Sequence, residues 1–200
     1  MSTRPGPPDW AEDLLRLFLK PADVDTVSGD LLEAYRDSIY PARGRRRADQ
    51  WYVAQVLGFV SRSARTWAAL FAAAFITRTA IDWLVPTSDF HARSMVSTIL
   101  GCGILLLAGF WAAFRSGSFG AGPVAGIATA AIAAPIQIVG AAALLAVWHD
   151  STTMAAIRGS GGLEEVFILP LVMVLPGIVL GTTGGLLGAA ARRLRSVQAS

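Results

Sequence analysis

Two side chains of opposite charge stand four residues apart in the otherwise apolar stretch FITRTAIDWLV. At this spacing Arg78 and Asp82 lie on one face of a helix, where they can form an ion pair. Charge is costly in hydrocarbon, so residues of this kind inside a membrane segment favour a dedicated role. The residues allow two interpretations: a structural pair near one membrane boundary, or a site for an ion or polar substrate.

Other residues with reactive side chains give weaker patterns. His91 and His149 each have an aspartate nearby, Asp89 and Asp150, but the HxxxH and HExxH spacings of zinc sites are missing. We therefore expect solvated side chains at the ends of membrane segments and no bound metal. The single cysteine, Cys102, lies in an apolar run and is typical of a small buried side chain.

Sequence motifs for common enzyme chemistry are also missing. The only lysine, Lys20, precedes a proline, which excludes a phosphate-binding P-loop, and no GxSxG nucleophile motif occurs. An intramembrane enzyme would need Cys102, Thr129 and Gln137 to converge, and nothing in their spacing indicates this. The sequence predicts a protein with no enzymatic activity and no cofactor.

Composition predicts an all-α membrane protein with a polar N-terminal head. Hydrophobic residues make up 54% of the chain and charged residues 16%, against about 25% in soluble domains. Ten of the 17 basic and nine of the 14 acidic residues precede Trp67. We therefore divide the chain into a head, residues 1–66, and a four-helix membrane bundle, residues 67–200. A span needs about 20 apolar residues, and four stretches provide them: 67–85, 94–114, 122–148 and 166–190.

Small residues recur at every fourth position in the third and fourth stretches. The glycines among them are Gly122, Gly126, Gly177, Gly181 and Gly185. Such spacing lets two helix backbones approach closely. It predicts packing within the bundle or, alternatively, contact with a second copy or another membrane protein. Prolines in the same stretches predict kinked helices.

Arginines flank the first and the last membrane stretch. With an even number of spans, both groups lie on the same side of the membrane. One group runs from Arg43 to Arg65, and Arg192, Arg193 and Arg195 follow the last stretch. By the positive-inside rule we expect both termini in the cytoplasm. The N-terminus lacks the basic start and apolar core of a secretory signal. Since the basic residues flank membrane segments, we expect lipid, and no nucleic acid, beside them.

The head is predicted to contain three amphipathic helices. Asp9 followed by Glu12 resembles a capping box at the start of the first. Apolar residues at helical spacing predict a second helix over about residues 22–40, and the basic run PARGRRR predicts a break before a third. We place a candidate partner surface on the second helix, at Asp30, Glu33, Tyr35 and Arg36.

Three blocks of the head, PPDWAEDLLRLFLKP, VSGDLLEAYRD and RGRRRADQWYVAQVL, resemble a known module. It is the permease prefix module at the N-terminus of bacterial macrolide-export-type ABC-transporter permeases, and the resemblance covers about residues 8–60. It implies a cytoplasmic docking or regulatory head in a bacterial inner-membrane protein. Such permeases have a large domain between their first two spans, whereas here only residues 86–93 separate them.

The resulting prediction is a non-enzymatic interaction or regulatory partner of a membrane transport system. It would contact the bilayer, and either a membrane-protein partner or a second copy through its small-residue helix faces. The alternative is a small transporter or channel that uses the kinked third and fourth helices with Arg78 and Asp82.

Overall fold

The computed structural model describes residues 5–85, 87 and 89–198, and these form helices without any strand. Four of the helices are long and apolar enough to cross a membrane: Arg45–Leu84, Phe90–Ser116, Ala121–Val147 and Val174–Gln198. The predicted class, an all-helical multi-pass membrane protein, is confirmed at this level.

The N-terminal helices pack against the first half of the longest helix. They are α1 (Asp9–Phe18), α2 (Val24–Glu33) and a π-helical turn (Ala34–Ile39), and the helix that they cover is α3 (Tyr40–Leu84). We call this assembly the N-terminal unit. Its buried core consists of Ala11, Leu15, Leu19, Tyr35, Ala48, Tyr52 and Val56. Its location in the cytoplasm stays a prediction.

From Arg45 onward, helix α3 joins the N-terminal unit to the bundle without interruption. The predicted break at PARGRRR is confined to Gly44, whose φ of 73° is in the left-handed region that favours glycine. From Arg45 the helix runs 40 residues to Leu84. At 1.5 Å per residue it is about 60 Å long, twice the roughly 30 Å hydrocarbon layer. The third head helix and the first span are therefore one helix.

The predicted capping box at the start of α1 is wrong. The residue that precedes the helix is Pro8, and no side chain caps it. The Glu12 carboxylate turns inward instead and accepts hydrogen bonds from Ser28, Tyr52 and Arg16. Three side-chain donors inside the unit satisfy this carboxylate better than the single backbone N–H of a capping box.

The second and third spans lie close to their predicted positions, as α4 (Phe90–Ser116) and α5 (Ala121–Val147). The Asp89 carboxylate caps α4 by accepting from the Ala92 N–H at 2.9 Å. Pro135 lies inside α5 without ending it.

The fourth predicted span, 166–190, is wrong in its boundaries. The structure has α6 (Ser151–Gly159), then α7 (Gly162–Val172) and α8 (Val174–Gln198), with a turn at Met173 between the last two. Pro176 has no N–H and its ring crowds the carbonyl four residues earlier, which belongs to Val172. The helix is consequently interrupted there, and α8 alone is the fourth span.

Helix α8 packs closely against α5 and α4 through glycines. A Cβ atom on Gly181 would lie 2.6 Å from the Gly122 carbonyl oxygen and 3.1 Å from the Gly126 Cα atom. Gly177 and Gly185 make equivalent approaches to α5. On another side of α8, glycines approach the backbone of α4 at Leu106 and Phe110; they are Gly184 and Gly188. The five predicted glycines are therefore engaged within the chain.

Candidate functional site: a charge cluster around Asp82

The two charged residues of the first span form an ion pair. The Nε atom of Arg78 donates to Oδ2 of Asp82 at 2.9 Å, along one face of α3. The Asp82 residue is only 2% exposed. Such a buried carboxylate needs a partner, because burial of an unpaired charge is costly.

Two further charges from other helices complete this group. Nη1 of Arg78 lies 3.5 Å from Oε1 of Glu165 at the start of α7, and Nη1 of Arg93 on α4 lies 3.6 Å from Oδ1 of Asp82. We call Arg78, Asp82, Arg93 and Glu165 the charge cluster. It holds two cations and two anions, so its formal net charge is zero.

Glu165 and Arg93 were not singled out in the sequence as partners of this pair. Arg78 and Glu165 are 87 residues apart, and no local spacing connects them. The available signal was weaker: both residues lie at apolar-segment ends that four spans place on one side of the membrane. Opposite charges there are expected to pair, but sequence does not say which ones.

Arg93 also holds the end of α3. Its Nη1 atom donates to the carbonyl oxygens of Val85 at 2.6 Å and Ile81 at 3.3 Å. Carbonyls in the last turn of a helix lack intrahelical partners and carry partial negative charge, which a cation stabilises. Arg93 therefore joins α4 to α3 through the helix end and through Asp82.

One acceptor in the charge cluster is free. Among the described residues, Oδ1 of Asp82 has no hydrogen-bond partner although it is buried. The Arg93 Nη1 atom lies 3.6 Å away, at ion-pair distance rather than hydrogen-bond distance. This oxygen can accept a hydrogen bond from a further donor without the loss of an existing one.

Cavities adjoin the charge cluster on two sides. A groove of about 480 Å³ between α3 and α4 is lined by Arg78, Asp82 and Arg93. A second cavity of about 330 Å³ is bounded by α3, α4, α7 and α8, and Arg78, Glu165 and Cys102 are among its lining residues. Arg78 thus lines both cavities.

The remaining polar residues of the spans serve other contacts. Gln137 is buried, and its Nε2 atom donates to the Phe71 carbonyl at 3.3 Å. The Gln137 Oε1 and Thr129 Oγ1 atoms have no hydrogen-bond partner in the described chain. Cys102 lines the second cavity, which neither Gln137 nor Thr129 lines.

The aspartates beside the two histidines cap helices. Asp89 caps α4, and the Asp150 carboxylate accepts from the N–H groups of Thr152 and Thr153 at the start of α6. Hydrogen bonds from Thr153 lower the pKa of Asp150. No group of three or more His, Cys, Asp or Glu side chains that could hold a metal ion occurs in the described ranges.

The candidate partner surface on the second helix is only partly exposed. Asp30 and Glu33 face solvent, and the Arg36 Nε atom donates to the Pro5 carbonyl at 3.1 Å. The prediction that Tyr35 belongs to this surface is wrong, because Tyr35 is fully buried and its hydroxyl group donates to Asp49 at 2.6 Å. Burial, together with that hydrogen bond, raises the pKa of Tyr35 to about 12.

The N-terminal unit is held together by a second hydrogen-bond centre, Glu12. Burial alone would raise the pKa of this carboxyl, but hydrogen bonds from Ser28, Tyr52 and Arg16 outweigh burial and lower it. The pKa of Tyr52 is raised by burial and by the hydrogen bond to Glu12. These contacts join α1, α2 and α3.

Comparisons with known proteins add no assignment: no family model, curated protein or solved structure matches the chain.

Proposed function

We propose that this protein is a non-enzymatic interaction or regulatory partner of a transport system in a bacterial inner membrane. The N-terminal unit, with its permease-prefix-like blocks, would dock the partner. The observation that supports this most is the continuous helix Arg45–Leu84, which is shared by the N-terminal unit and the bundle. A displacement of the N-terminal unit by a bound partner would be transmitted to Arg78 and Asp82 through this one helix.

The exposed acidic residues of the second helical segment supply the contact chemistry. Asp30, Glu33 and Asp37 are all exposed, and none forms an ion pair within the described part of the chain. A basic surface on a partner would complement them, and unpaired charges of this kind favour rapid and selective association.

The charge distribution of the bundle supports cytoplasmic termini. The bundle end next to the N-terminal unit carries Arg62, Arg65, Arg115 and the three arginines of the C-terminal tail, with no acid in the same segments. The opposite end carries all five acids that follow residue 66. An excess of arginine on one side is the pattern that orients membrane proteins. A reporter enzyme active only in the cytoplasm, fused after residue 200, is expected to be active; inactivity would contradict the orientation.

Photocrosslinking in cells tests the docking surface. A photoreactive residue at Asp30 or Glu33 in the full chain is expected to capture a membrane transport protein. Asp13, an exposed acid on α1, is the matched control position. Capture of lipid alone, or equal capture from Asp13, would count against the proposal. The double reversal Asp30→Lys and Glu33→Lys is expected to abolish capture from a probe at Asp37.

A second candidate, a small transporter or channel, is favoured by one observation: Arg78 lines two cavities of about 480 Å³ and 330 Å³. Flux of ions or small polar solutes into proteoliposomes would test it with Arg78→Ala. Arg158→Ala is the control, since Arg158 is exposed at the same end of the bundle. Flux that is lost only with Arg78→Ala supports transport, whereas the absence of flux, or flux indifferent to both changes, contradicts it.

A further inference from the structure

A groove of about 510 Å³ lies where the N-terminal unit meets the bundle. Three parts of the chain form it. The connection between α1 and α2 contributes Lys20, the middle of α3 contributes Arg62, and the end of α4 contributes Arg115. Because these parts are distant in sequence, only the folded chain assembles the groove.

Positive charge is concentrated in this groove. Lys20, Arg62 and Arg115 line it together with a single acid, Asp23. None of the three cations forms an ion pair with a carboxylate among the described residues. The groove therefore has a formal charge of +2 and donors without anionic partners. Ser63 also lines the groove, but its hydroxyl group already donates to the Val60 carbonyl at 2.8 Å.

A neighbouring contact holds one of the cations in place, and another fixes the backbone that carries a second. The Arg62 guanidinium lies over the Phe59 ring, 5.9 Å from its centroid, and Phe59 lines the same groove. The end of α4 is fixed by Arg192, whose Nη1 atom donates to the Arg115 carbonyl at 2.6 Å. The site is therefore partly organised before any ligand arrives.

The other walls are apolar and continue into the bundle. Trp67 and Trp111 line the groove, and tryptophan is favoured at the level of lipid headgroups. About one helical turn further along, Leu70 on α3 and Leu107 on α4 are each about half exposed. An amphiphile with an anionic head and apolar tails matches this arrangement, in which a cationic groove leads to an apolar helix surface.

We propose that this groove binds one anionic phospholipid, its phosphate among Lys20, Arg62 and Arg115 and its acyl chains along α3 and α4. Basic pockets between spans on the cytoplasmic side are suited to anionic headgroups. Bound lipid would bridge the N-terminal unit and the bundle. The inference does not depend on the existence of a transport partner.

Native mass spectrometry of the purified full chain tests the site, with phosphatidylglycerol compared against phosphatidylethanolamine. The groove variant is Lys20→Gln, Arg62→Gln and Arg115→Gln. The control variant, Arg65→Gln, Arg193→Gln and Arg195→Gln, removes the same charge from the same end of the bundle outside the groove.

We expect one phosphatidylglycerol per chain, with little phosphatidylethanolamine. At about 1 kcal/mol per cation, each lost cation weakens binding roughly fivefold, so the groove variant should lose affinity on the order of 100-fold. The control variant should lose less than about threefold, since its charges only contribute to the general surface potential. Equal losses in the two variants, or none in either, would overturn the inference.

Two further measurements address misfolding of the groove variant and binding of a free anion. If the groove variant does not fold, Lys20→Gln alone, in the exposed connection, should weaken phosphatidylglycerol binding about fivefold, and Arg65→Gln should leave it unchanged. Absence of a difference between these single variants would overturn the inference. Inorganic phosphate should not displace the lipid at millimolar concentration. Displacement would show a free-anion site in which the acyl chains play no part.

Discussion

A close helix contact in the bundle, between α5 and α8, gives a prediction that can be worked out from atomic distances. In Gly181→Ala, the new Cβ atom would lie 2.6 Å from the Gly122 carbonyl oxygen. Carbon–oxygen contacts between helices are normally about 3.3 Å or longer. Because the obstructing atom is backbone, α5 and α8 must separate by roughly 0.7 Å. Overpacking of this kind costs about 1–3 kcal/mol.

Replacement of a helical glycine by alanine also stabilises the helix itself, because alanine has the higher helix propensity. A control variant is needed to subtract this contribution. Gly103→Ala on α4 provides the control, because a Cβ atom there meets nothing within 4 Å. Both variants gain the same helix propensity, about 1 kcal/mol. The difference between them therefore isolates the contact at Gly181.

The assay is reversible unfolding of the purified full chain in detergent. Gly181→Ala should be less stable than Gly103→Ala by about 1–3 kcal/mol, and Gly181→Val by more. If the two alanine variants agree within about 0.5 kcal/mol, the close approach of α5 and α8 is wrong. If Gly181→Ala changes only the oligomeric mass, the glycine face lies between copies of the chain.

Three other predictions concern buried polar contacts. Asp82→Asn should destabilise the chain by about 1–3 kcal/mol in the same unfolding assay, because the partly buried Arg78 loses its closest anion and, among the described residues, keeps only Glu165. The pKa of Glu12 is lower in the folded chain than its usual value of 4.5. The ionised carboxylate therefore stabilises the N-terminal unit at pH values above 4.5, and this stability is lost as the pH falls through the lowered pKa. Circular dichroism of thermal unfolding between about pH 6 and 3 should therefore show a flatter pH dependence for Glu12→Gln than for the unmodified chain. Tyr35→Phe should leave the tyrosinate absorbance of the folded protein unchanged below pH 11, because Tyr35 ionises only near pH 12.

Hydropathy predicted the second and third spans well because a long apolar run has few alternatives to a membrane helix. The same reasoning misplaced the fourth span. A turn at Met173 leaves mean hydropathy unchanged, and of the two prolines in this segment Pro170 lies inside α7 whereas Pro176 follows the break. Apolarity thus predicts that a segment is buried in lipid, but it does not locate interruptions of the helix.

The N-terminal unit shows the opposite limitation. The helical spacing of Val27, Leu31 and Tyr35 already indicated one apolar face, and the burial of Tyr35 follows from it. The continuity of α3 could not be predicted, because basic residues outside a membrane and apolar residues inside it give different patterns along one helix. The partners Arg93 and Glu165 depend on how three helices rotate against one another.

The single helix that carries both parts of the chain makes their relative angle depend on residue count. Each residue in an α-helix adds about 100° of rotation and 1.5 Å of rise. Deletion of one residue between Val56 and Arg62 would turn the N-terminal unit by roughly a quarter of a circle around the bundle. Insertion of seven residues would nearly restore the angle but move the unit about 10 Å outward. The number of residues in this segment therefore sets the rotation of the N-terminal unit about the helix axis. That rotation determines the side of the bundle that a docked protein would face.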